Sequence, residues 1–223
     1  MQPNENEFIY TDGVDYTKTT KDSIWGTEEK STVDLIDKPK ITGKWLNLCA
    51  GDGRFNNRLL NKVDEVIAVD IDEGALKKLV STTPEQLKSK LKIRTMNVVE
   101  PFLFENNTFD GIFCVGTLHL FPKPIFKEIF NEMDRVLKPG GLIIIDFAAD
   151  IKRTFPDGNL WRVKNEPNYS IDEAVTFLED VFKNYSIRLI VDESGPEAVV
   201  LNDKTYNFAC NFVLLNGKKP YIQ

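Results

Sequence analysis

The stretch Leu46-Asn47-Leu48-Cys49-Ala50-Gly51-Asp52-Gly53-Arg54-Phe55 places two glycines between an apolar run and a segment of helical pattern. Glycine at such a turn lets the chain reverse tightly and lets a ligand approach the main chain. The helix that follows offers unpaired N–H groups at its start. In open α/β sheets this is where nucleotides bind, beyond the carboxyl ends of the strands. A plain β-to-α turn would need the same glycines, so the turn alone leaves its chemistry open. Asp70 lies nineteen residues after Gly51, at the end of a second apolar run. A carboxylate there can accept both hydroxyls of a ribose. Asp72 precedes Glu73 and reads as a helix cap. His119 is the only histidine, and imidazole alone among side chains titrates near neutrality when unperturbed. It reads as a base or substrate-orienting group, or as a packed residue beside Phe121 and Pro122.

The elements that must position these residues follow a βα rhythm. Lys44 to Cys49, Glu65 to Asp70, Leu91 to Met96, Phe109 to Val115 and Leu142 to Phe147 read as strands. Arg54 to Lys62, Glu73 to Val80 and Ile125 to Leu137 read as helices between them, the last with a strong 3.6-residue apolar period. Short apolar runs alternating with amphipathic segments predict a parallel sheet. Ser23 to Leu35 reads as an earlier helix, and a further helix capped by Ser170 runs to about Asn184. Ser186 to Asp192 and Tyr206 to Leu215 then read as strands without a crossover helix, which permits an antiparallel hairpin. The whole chain reads as one domain. Residues 1–43 are arm and helix, 44–147 a nucleotide-binding core, 148–185 a substrate-side loop and helix, and 186–223 the hairpin.

Composition narrows the function. The chain has 223 residues, 42% hydrophobic and 28% charged, which is ordinary for a globular protein. With 28 basic against 34 acidic residues, the formal charge is −6. Such a balance argues against nucleic acid or an anionic membrane as partner. Cys49, Cys114 and Cys210 are few, odd in number and widely spaced. That fits reduced thiols in a cytoplasmic protein, and with one histidine it builds no metal site. No apolar run approaches the ~20 residues of a membrane span; the longest, around Leu142 to Ala149, is broken by Asp146. The polar N-terminus lacks a signal-peptide core. The motif G-x-G-x-x-G fails at Asn56, and no Walker GKT or GKS is present. Oligomeric state leaves no mark in the sequence.

The segments KWLNLCAGDGRF, EVIAVDID, MNVVEPFLFENNTFDGIFCVGTLHLF and DRVLKPGGLIIID, in this order, resemble the class I S-adenosylmethionine-dependent methyltransferases, most closely their small-molecule branch. The resemblance implies a Rossmann-like, seven-stranded, mostly parallel sheet with helices on both faces and an antiparallel C-terminal strand. It implies S-adenosylmethionine as cofactor and S-adenosylhomocysteine as product. By position, Cys49, Ala50, Gly51 and Gly53 would form the loop under its methionine part, with Asn47, at the place of the family's first-strand acid, also toward the cofactor. Asp70 would hold the ribose, and Ile71, Asn97 and Val98 the adenine. Val115 and Gly116 would line the cofactor near the transferable methyl, with Thr117, Leu118 and His119 on the substrate side. Two departures stand out: Asn47 and Asn97 occupy positions where the family has acids, and asparagine keeps hydrogen bonding but loses charge.

The implied activity is methyl transfer to an O, N or C nucleophile of a small molecule by in-line displacement. Such a reaction needs alignment, exclusion of water and a proton acceptor, the last a role for His119. Phe155 and Trp161, in the polar stretch after the fifth strand, would cover a flat or apolar substrate, while Tyr10, Tyr16 and Trp25 would close the arm over it as a lid. A binding or regulatory protein that keeps the cofactor pocket is the main rival. A nicotinamide-dependent oxidoreductase is a second, weakened by the missing third glycine.

Overall fold

The computed structural model describes residues 14–20, 23–26, 29–163, 166–201 and 204–221. Tyr10 lies outside them. Five segments form parallel strands: β1 (Lys44–Leu48), β2 (Glu65–Asp70), β3 (Leu91–Thr95), β4 (Phe109–Cys114) and β5 (Leu137–Thr154). β6 (Ser186–Leu201) and β7 (Lys204–Lys218) form an antiparallel hairpin, and β7 pairs antiparallel with β5. The seven strands follow the order β3-β2-β1-β4-β5-β7-β6. Order reverses at β1, between β2 and β4, which opens the crevice where such sheets bind ligands.

The central strands are apolar because both of their faces are covered. β1 and β2 bury nearly every residue. On one face α5 (Lys123–Val136) and α6 (Ile171–Val181) contribute Phe126, Ile129, Met133, Phe177 and Leu178 to the larger core. On the other, α1 (Lys30–Asp37) and α2 (Asn56–Leu60) contribute Leu35, Ile36, Leu59 and Leu60 to a second core around Trp45 and Phe113. α3 (Glu73–Thr82) seats Leu76 and Leu79 beside Ala68, and the short α4 (Glu85–Lys88) follows it. The caps expected from the sequence form. Asp72 accepts from the N–H groups of Gly74 and Ala75, and Ser170 and Glu173 make a reciprocal capping box.

Three segments depart from the sequence reading, one of them β6, which does not end at Asp192 but continues to Leu201 in its pairing with β7. Ser23 to Leu35 is not one helix: α1 begins at Lys30, and Ser23 and Ile24 are instead held by a distant carboxylate described below. β5 does not end at Phe147 but continues to Thr154, so residues 148–154 are strand rather than loop. The extension exists because β7 pairs with it, past a register shift between Ala149 and Lys152. Pairing of that range is tertiary, and the polar Lys152-Arg153-Thr154 gives no local sign of it.

Candidate active site

The glycine turn leaves β1 at Cys49, which takes a positive φ of 55°. Gly51 and Gly53 follow with φ of 53° and 92°. Gly53 is required twice over, because a Cβ there would also stand 2.7 Å from the Leu79 side chain on α3. Gly51 is open: a Cβ there would meet only the Trp25 indole nitrogen, at 3.8 Å. Asp70, ending β2, ties the turn down. Its Oδ2 accepts from Gly51 N–H at 2.8 Å and its Oδ1 from Asp72 N–H at 2.9 Å.

Asp52, between the two glycines, is buried and organises the N-terminal arm. Ser23 Oγ donates to its Oδ1 at 2.7 Å, and Ile24 N–H and Lys78 Nζ donate to its Oδ2, both at 2.9 Å. The ion pair with Lys78 is withdrawn from solvent on both sides. Trp25 is thereby carried over the turn. Tyr16 is buried against α3, near Gly74 and with its ring 5.9 Å from Lys78 Nζ.

The remaining expected residues divide by environment. Asn47 is buried and donates to Asn56 Oδ1 at 3.2 Å, so its amide is engaged with the start of α2. Ala50 is half-buried, Ile71 exposed and Val98 buried. Asn97 bends its own turn by accepting from Val99 N–H at 3.3 Å. Val115 and Thr117 are half-buried, and Gly116 is exposed with no atom within 4 Å of an added Cβ. Leu118 is fully buried in the larger core. Phe155 stacks on Trp161 with centroids 6.1 Å apart, beside a half-buried Arg153 that forms two bonds with Glu166 at 2.5 and 2.7 Å. These two aromatics therefore pack a satellite cluster.

His119 is buried in a 3₁₀ turn, Leu118–Leu120, with its ring edge toward Phe147. Burial, and next the positive field of Arg153, push its pKa down to about 3. Its Nδ1 has no hydrogen-bond partner among the described residues. A neutral imidazole of this kind can orient a partner, but it is poorly matched to removing a proton at neutral pH.

A carboxylate that the sequence reading passed over is better matched. Asp146 in β5 is buried, with 6% exposure, and its Oδ1 accepts from Gly116 N–H at 2.6 Å. Burial raises its pKa to about 7; the Gly116 N–H pulls it down less. This bond fixes Asp146 to the end of β4, beside the residues expected near the methyl group. Its one local signal was an acid inside the apolar run LIIIDF.

Comparison with known proteins agrees with this geometry. Residues 46–141 match the family model described as a methyltransferase domain. Over these residues, somewhat under half of the chain, it is similar to methyltransferase domains. Outside that model, "Probable methyltransferase ltbC" of Aspergillus luteorubrus is 28% identical over 123 residues, covering 52% of this chain and 43% of its own length. Phosphoethanolamine N-methyltransferase 1 of Triticum aestivum is 31% identical over 120 residues, covering 53% of this chain and 24% of its own. The chain thus spans less than half the length of these curated relatives. The solved structure of a DhpI–SAH complex superposes with a TM-score of 0.60 at 17% identity, covering 86% of this chain and 84% of that one. The chain accordingly has the Rossmann-like, mostly parallel α/β fold that the resemblance implied. No helix among its described residues is long and apolar enough to cross a membrane.

Proposed function

We propose that the chain binds S-adenosylmethionine over the glycine turn and methylates a small-molecule acceptor, leaving S-adenosylhomocysteine. The observation that carries this reading is the open backbone at Gly51 and Gly116, flanked by Asp70. Gly116 presents open main chain, and at Gly51 an added Cβ would meet only the Trp25 indole nitrogen at van der Waals distance, so a cofactor can approach the backbone closely. Asp70 fixes the turn from the end of β2, the position at which the resemblance places the ribose. The bound sulfonium would supply an activated methyl group. The chain's own part is then to align the acceptor, exclude water and take up a proton where the acceptor carries one. Trp25, held through Asp52, would exclude water from above. Asp146 is the proton acceptor of this reading, and His119, held neutral, an orienting group.

A second reading is a protein that binds the cofactor without transferring its methyl group. It draws on Asn47 and Asn97, which carry no charge toward the cofactor, and on Asn47 being turned to Asn56. Calorimetry with S-adenosylmethionine, S-adenosylhomocysteine and a nicotinamide dinucleotide, followed by a turnover assay over acceptors, separates the readings. Both adenosyl ligands are expected to bind at micromolar concentration and the dinucleotide to fail. Failure of both adenosyl ligands at sub-millimolar concentration would overturn the proposal. Binding with no turnover on any acceptor would favour the second reading.

A further inference from the structure

A cavity of about 320 Å³ lies between the start of α1 and the sheet formed by β5, β7 and β6. That volume suits a small organic molecule. Its charged lining is one-sided: Glu29, Asp146, Asp192, Glu193 and Glu197 against Lys30 alone. Three of these charges are already engaged. Glu29 pairs with Arg54, Lys30 pairs with Asp34 at 2.9 Å, and Asp192 accepts from Ser31 Oγ. Glu193 and Glu197 stand exposed, toward the mouth.

Asp146 differs from the others. It is more than nine-tenths buried, yet it accepts only the Gly116 N–H and has no ion pair among the described residues. A buried carboxylate without a cation is costly, and proteins keep such groups where a ligand completes them. We infer that this cavity is a binding site for a small organic ammonium ion, held at its inner end by Asp146 and at its mouth by Glu193 and Glu197. The inference rests on the methyl-transfer reading only in calling that ion the acceptor.

The arrangement distinguishes among cations. A metal ion needs several donors on one centre within about 2.0–2.6 Å, and no such group of acids, histidines or cysteines occurs among the described residues. Acids spread along a cavity instead match an extended molecule with separated positive charge. A diamine fits best, with one ammonium inside and one outside. The charges facing Asp146 are Glu29 and Lys30 at α1, Arg54 before α2, and Asp192, Glu193 and Glu197 on β6; the Cys114 and Cys210 thiols also feel its field. Burial, the main cause, holds Asp146 at about 7. A bound ammonium favours the ionised form and reverses part of that shift.

The probe is 1,4-diaminobutane, with 1,4-butanediol as its uncharged counterpart, titrated calorimetrically into the full chain at pH 8. Micromolar to low-millimolar binding of the diamine and none of the diol is expected. Asp146→Asn keeps the volume and the Gly116 bond, and should weaken the diamine at least tenfold. The exposed double variant Glu193→Gln/Glu197→Gln should weaken it several-fold and fold normally. Equal binding of diamine and diol, no diamine binding, or unchanged affinity in both variants would overturn the inference. Parallel titration with S-adenosylhomocysteine reads the cofactor reading separately: its failure beside intact diamine binding sinks the methyl-transfer reading and leaves the ammonium site standing.

Discussion

His119 and Asp146 are both held far from their ordinary behaviour, and burial is the main cause for each. His119 loses its readiness to take a proton, and Asp146 gains it. The sequence advertised the first, because a lone histidine is conspicuous. It hid the second, because an acid inside LIIIDF reads as an interruption until β4 and β7 enclose it. Ionisation alone cannot be read from residue type; it follows from enclosure, which is tertiary. The sign of the stability effect is definite. Below about pH 3, Asp146 is protonated in both the folded and the unfolded chain and contributes no pH dependence. As pH rises toward 7 the unfolded chain ionises first, so stability falls, and above 7 the full penalty remains, on the order of a few kcal/mol. Asp146→Asn should therefore melt several degrees above the parent at pH 8 and level with it at about pH 3. Calorimetric melting at the two pH values checks this, and a gain of equal size at both would show that the penalty is not ionic.

At the scale of elements, the parallel strands and their helices were legible because local pattern and burial agree there. KWLNL and EVIAVD are apolar on both faces, and α5 carries its period over fourteen residues. The arm was not legible. Ser23 and Ile24 take their conformation from Asp52, nearly thirty residues away, and no periodicity records such a contact. The same carboxylate neutralises the buried Lys78. Removing one partner of a buried pair leaves the other charged and unsolvated, which costs about 3–5 kcal/mol. Asp52→Ala should lose that much in urea unfolding, whereas Ser23→Ala, losing one hydrogen bond, should lose about 1 kcal/mol. An Asp52→Ala loss below that of Ser23→Ala would mean that the arm is tied down by something other than this carboxylate.

Across the whole molecule, charge and topology point to the same kind of partner. The formal charge of −6 is reinforced where it matters most, since the cavity beside β5 is itself acidic. Much of the positive charge is already engaged: Lys44 and Lys92 pair with Glu65, Arg135 with Glu132 and Lys138 with Asp110. Binding to a nucleic acid without sequence preference comes from free basic groups that displace counterions, so it appears first at low salt. A fluorescent single-stranded RNA and a duplex DNA, followed by anisotropy at 50 mM salt, should show no saturable binding below about 100 μM. Saturable binding that weakens steeply as salt rises would mean that a basic face outweighs the net charge. The small-molecule reading would then give way to a nucleic-acid acceptor lying across that face, because the acidic cavity would repel the phosphates of any strand drawn into it.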